Sequence, residues 1–143
     1  MTVCLLDINI LLALSDPMHV NHDAAHRWFA KIGKEAWATF PITENGYVRI
    51  ASHPNYPNRP GDVGTVLEIM HQFCSAEGHH FWAEDISITT LLQPDVVVSH
   101  NQVTDLYLLG LAVHKGGKLA TLDRCIPAKA VQGGTRALEL IET

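Results

Sequence analysis

Four short runs along this chain read as strands, and helical signals follow each of them. They are VCLL (Val3–Leu6), AWATF (Ala36–Phe40), HHFWA (His79–Ala83) and LATL (Leu119–Leu122). A short apolar run without polar alternation, as in VCLL, suits a strand buried on both faces. Repeated strand–helix units of this length imply a parallel sheet covered by helices on both sides, an α/β fold. In such sheets, sites form beyond the carboxyl ends of the strands.

The helical segments carry their own punctuation. Ile8 to Leu14 starts a helix that Ser15–Pro17 breaks. Asn21 to Ile32 places Ala24, Ala25, Trp28, Phe29 and Ile32 on one face, and Gly33 ends it. Pro41 opens PITENGYVRIAS at the position where a missing N–H costs nothing, and Pro54 stops that helix at His53. HPNYPNRPG (His53–Gly61) is a surface connection too short for a domain boundary. Asp62 to Cys74 is amphipathic, with Val63, Val66, Leu67, Met70 and Phe73 to one side. Ile86 to Leu92 reads as a short helix, and Val96 to Val98 as strand or apolar loop. Thr104 to Val113 is a helix with Leu106, Leu108, Leu109 and Ala112 for burial, closed by Gly116 and Gly117. Ala137 to Ile141 is a candidate final strand. The 143 residues, 47% of them hydrophobic, suffice for a single domain with a genuine core.

Four acids recur in one kind of place. Asp7 closes the first strand, Glu44 lies in the first turn of the helix after the second, Asp105 begins the helix after HNQVT, and Asp123 closes LATL. In a parallel sheet these positions share one rim. Four carboxylates brought together repel strongly, and a hard divalent cation with oxygen ligands relieves the repulsion. Such an ion can activate a water and neutralise charge on a phosphodiester. Each acid singly also fits a helix cap; Asp7 could cap the helix starting near Ile8.

A net charge of −5 argues against a nonspecific basic coat for nucleic acid, yet not against an enzyme that grips phosphates through a cation. Cys4, Cys74 and Cys125 are odd in number and widely spaced, which disfavours a disulfide framework or zinc ribbon. His22 and His26, four apart on one helix, could bind a metal but lack a third ligand. No apolar stretch spans a bilayer and no secretion signal is visible, so the expected compartment is the cytoplasm.

The ordered set LLDINILLAL, PITENGYVRI, HNQVTDLYLLGLA and GGKLATLD resembles the PIN domains of VapC-type toxins from Val3 to about Asp123. The resemblance implies one PIN domain over residues 1–143, a three-layer α/β/α sandwich around a small central parallel sheet. It implies a metal-dependent endoribonuclease in which a magnesium or manganese ion, held by carboxylates, activates a water against RNA. The family's acidic positions map onto Asp7, Glu44, Asp105 and Asp123, as catalytic residues and metal ligands. Asn9, Thr104 and Thr43 match residues that support them. Arg49 and Arg124 are candidates for contact with RNA phosphate.

The same resemblance implies a VapB-type antitoxin partner and a homodimer, with Trp28, Tyr47 and Ile50 offered as a groove or dimer face. Two other classes remain open. One is a carboxylate-rich phosphatase, whose required lysine would be Lys115 or Lys118. The other is a catalytically silent PIN-fold binding module, which commonly lacks one or more of the acids that this chain retains.

Overall fold

The computed structural model describes residues 2–83 and 86–143. Its elements in chain order are β1 (Cys4–Leu6), α1 (Ile8–Ser15), α2 (His22–Lys31), β2 (Trp37–Thr39), α3 (Pro41–Ala51), α4 (Val63–Ser75), β3 (His79–Phe81), α5 (Ile88–Leu91), α6 (Val103–His114), β4 (Lys118–Thr121), α7 (Gly134–Ala137) and β5 (Leu138–Leu140), with short 3-10 turns between some of them. Among the described residues the five strands form one sheet in the order β3-β2-β1-β4-β5, and every pairing is parallel. This is the α/β/α sandwich expected from the strand–helix alternation.

Alternation along the strands divides the core in two. Cys4, Leu6 and Trp37 face a cluster built from Ile10, Leu11, Trp28, Tyr47, Val66 and Met70, so α1 to α4 cover that side. Leu5, Ala38 and Leu119 face the other cluster, dominated by Leu106, Leu108, Leu109 and Leu111 of α6. Helix α6 buries residues all round, because the sheet lies beneath it and α5 and α7 flank it.

Two glycines make the turn from α6 into β4. Gly116 adopts φ +70 and donates its N–H to Val113 O, while Gly117 donates to Ala112 O, a Schellman ending. A Cβ on Gly117 would lie 2.4 Å from Val3 O, so the chain can enter β4 beside β1 only without a side chain there.

Several expectations change in three dimensions. Val63 and Leu67 are exposed, because α4 docks through Val66, Met70 and the neighbouring Ile69 and Phe73. The strand at His79 ends at Phe81, and Val96–Val98 is loop, with Val97 in solvent. Trp28 and Tyr47 are buried in the core, Trp28 at the wall of a surface pocket shared with Arg27, Lys31 and Leu140; Trp28 Nε1 donates to Glu139 and the Tyr47 hydroxyl to Ser15 Oγ. No helix among the described residues is long and apolar enough to cross a membrane.

Candidate functional site

β1 and β4 are neighbours and end together, which brings Asp7 beside Thr121 although 114 residues separate them in sequence. The Asp7 carboxylate is 6% exposed. Its Oδ1 accepts the Ile8 N–H at 2.7 Å and caps α1; its Oδ2 accepts the Thr121 hydroxyl at 2.8 Å. Burial pushes the Asp7 carboxyl up, the two hydrogen bonds pull it down, and the Asp123 charge pushes it up again, leaving it above the ordinary carboxylate value.

Thr121 is the residue that motif reading left without a role. Its buried hydroxyl donates to Asp7 and accepts from Asn9 Nδ2 at 3.1 Å and from the Asp123 N–H at 3.1 Å. Asn9 Oδ1 in turn accepts the Leu122 N–H. Asn9 therefore acts on Asp7 through Thr121, and it also ties α1 to the end of β4. The sequence signal for Thr121 was a hydroxyl residue two before Asp123, at the close of an otherwise apolar strand.

Asp105, in the first turn of α6, faces the same place. Its carboxyl is pushed up to about 6 by burial and by the charges of Asp7 and Asp123. The three aspartates thus form one electrostatic group drawn from β1, α6 and the end of β4. All its donors are oxygens, and their mutual repulsion is the strain a hard divalent cation relieves, so the residues fit such an ion.

Glu44 stands at the start of α3 but is engaged differently. Its Oε2 accepts the Thr39 hydroxyl at 2.6 Å and lies 3.7 Å from the Cys74 thiol. Thr39 Oγ1 also lies 2.7 Å from His79 Nε2. Glu44, Cys74 and His79 place their ligand atoms within 4.8 Å of one another, a grouping compatible with a divalent metal. Sequence reading expected oxygen ligands alone and did not foresee a cysteine and a histidine beside Glu44.

The remaining candidates scatter. Thr43 is buried and closes the start of α3, accepting the Phe40 N–H and donating to Phe40 O. Thr104 is exposed, and no hydrogen bond joins it to a described carboxylate. Arg49 lies in the last turn of α3, at the far end of that helix from Glu44. Arg124 is exposed beside Asp123 and reaches Thr143 Oγ1 at 3.3 Å. His22 and His26 do not gather a metal. Their ring nitrogens meet Ala13 O and Leu14 O, the closing carbonyls of α1. Lys118 pairs with Glu139 at the start of β4, and Lys115 follows the end of α6. Both lie at the amino end of the strands, the opposite end from Asp7, where a phosphatase lysine would be of no use.

No family model matches the chain. Curated relatives do. It is 39% identical over 131 residues to Ribonuclease VapC39 of Mycobacterium tuberculosis, covering 90% of this chain and 94% of that one. The chain belongs to the VapC family. Ribonuclease VapC44 of the same organism is 39% identical over 134 residues, 92% of this chain and 94% of the relative. Ribonuclease VapC38 is 33% identical over 141 residues, 97% and 98% of the two chains. The VapC likeness therefore runs past Asp123 and takes in β5, and the sheet described above is the PIN-like sandwich of a VapC protein.

Proposed function

We propose that this chain is an endoribonuclease toxin that hydrolyses RNA phosphodiester bonds with a magnesium or manganese ion held by Asp7, Asp105 and Asp123. The observation that carries the reading is the placement of three acids at the carboxyl rim of a parallel sheet, Asp7 after β1, Asp123 after β4 beside it and Asp105 in the first turn of α6, close enough to raise one another's carboxyls. The ribonuclease names of its relatives supply the substrate class.

In this reading Asp7 and Asp105 are ligands, and Asp123 is a further ligand or orients the attacking water. Glu44 completes the acidic rim from α3 when its carboxylate turns from Thr39. Thr121 fixes the Asp7 carboxylate and Asn9 fixes Thr121, so the first acid keeps its aim as charge develops nearby. Arg124, exposed next to Asp123, steadies a neighbouring phosphate. The bound ion would neutralise charge on the phosphodiester and lower the pKa of a water. Residues 1–143 act as one cytoplasmic PIN domain, paired as a homodimer and restrained by a VapB-type antitoxin.

The deciding experiment is RNA cleavage by the pure protein with magnesium, manganese or EDTA, alongside Asp7→Asn and Asp105→Asn. Cleavage that needs the metal, leaves a 5′-phosphate and vanishes in both variants supports the reading. A 2′,3′-cyclic phosphate product, or full activity in the variants, overturns it.

A further inference from the structure

We infer that Glu44, Cys74 and His79 form a second cation site, selective for a thiophilic divalent ion of the zinc class rather than for magnesium. The three side chains come from α3, the last turn of α4 and the first residue of β3, and all are half-buried. They converge on the sheet face shared by Trp37 and Thr39, the side covered by α1 to α4. Asp7 follows β1 in the alternation phase of Leu5, which faces the α6 side. The two groups of ligands are thus offset across the sheet.

The chemistry of the donors differs as well. One thiol, one imidazole and one carboxylate form a ligand set that favours zinc, whereas magnesium takes oxygen and water. Zinc–ligand bonds of about 2.0–2.3 Å place tetrahedral ligands roughly 3.3–3.8 Å apart. The ligand atoms already lie within 4.8 Å of one another, with Cys74 Sγ 3.7 Å from Glu44 Oε2, so the contraction that binding asks for is about 1 Å. Thr39 is already arranged as an outer partner. Its hydroxyl donates to Glu44 Oε2 and lies 2.7 Å from His79 Nε2, so it bridges the two residues the ion would join. Three protein ligands at a half-open position leave a fourth for solvent.

Binding at this site is independent of the nuclease reading. Its consequence rests on that reading: zinc here would hold Glu44 away from the aspartates and slow magnesium-dependent cleavage.

The test titrates the full chain with zinc, and with cobalt as a spectroscopic stand-in, in a Cys125→Ser background because Cys125 is an exposed second thiol. The expected result is one zinc equivalent that excess magnesium does not displace, and thiolate-to-cobalt charge-transfer absorption. Cys74→Ser and His79→Gln should each weaken zinc binding by about 100-fold or more, since losing a ligand exceeds the 10–100-fold of an outer partner. The Asp7→Asn, Asp105→Asn double variant should keep both signals. Cobalt without thiolate absorption, or undiminished zinc binding in Cys74→Ser, would overturn the site and assign the ion to the aspartates. If His79→Gln does not fold, Cys74→Ser alone carries the decision.

Discussion

The Thr121 hydroxyl donates to Asp7 Oδ2 at 2.8 Å, while it accepts from both Asn9 and the Asp123 backbone. A buried hydroxyl with both acceptor positions filled has only one direction for its hydrogen. It is therefore locked onto Asp7, and the carboxylate that caps α1 is held at the rim by both oxygens.

Replacing Thr121 with Val should lower metal affinity or RNA cleavage by about 10–100-fold, the usual cost of removing an outer hydrogen-bond partner. Thr121→Ser keeps the hydroxyl and should restore most of the loss. Metal titration of both variants checks this; equal defects in the two would mean that packing, not the hydrogen bond, matters.

Asp105 sets a pH dependence. Its carboxyl is raised to about 6 in the ion-free protein, above the unfolded value of about 3.9. The fold favours protonated over ionised Asp105, so its contribution to stability is full below about pH 4 and lost as pH rises through 6. Metal binding requires the ionised form, so affinity should fall below about pH 6. Asp105→Asn should stabilise the ion-free protein at pH 7 by about 1–2 kcal/mol, after allowing for solvent screening of this half-exposed group. Denaturant melts at pH 4.5 and 7, with and without EDTA, read both effects.

Asp16 contributes to the acid limb. Burial pushes its carboxyl up, but hydrogen bonds from Asn58, Tyr56 and the Met18 N–H outweigh that and hold it below the usual range. Its contribution is present above about pH 4 and lost as pH falls through the depressed value. Tyr56→Phe should cost about 1 kcal/mol at neutral pH and loosen the loop after α3, as urea melts and hydrogen exchange would register. An unchanged midpoint would show that the loop is held by other contacts.

Gly117→Ala should destabilise the protein by about 1–3 kcal/mol, because the new methyl meets the Val3 carbonyl rather than a side chain that can move. Gly116→Ala meets no such obstacle and is strained only by its positive φ, so its cost should be the smaller of the two in parallel thermal melts.

The strand–helix order and the rim placement of Asp7, Asp105 and Asp123 were legible because they depend on local periods of two and 3.6 residues and on turn residues. Periodicity did not reveal which stripe of α4 is buried, since Val63 and Leu67 repeat with the same period as Val66 and Met70. Trp28 and Tyr47 were ambiguous for a related reason: a large aromatic serves a core or a surface groove equally well until its neighbours are known. His22 and His26 suggested a metal pair by spacing, yet their nitrogens meet carbonyls of a different helix.

Strand–helix alternation and the acids at strand ends can be read directly along the chain. Those features are written in contiguous residues, and neighbouring backbone geometry is enough to express them. What each acid touches depends on long-range packing. The strand order β3-β2-β1-β4-β5 puts β4 against β1, which gives Asp7 its Thr121, and β3 against β2, which gives Glu44 a histidine, while the packing of α4 on α3 adds a cysteine. These partners lie 30 to 114 residues away. Side-chain chemistry at that separation follows from how helices and strands pack around the two cores, which no local pattern encodes.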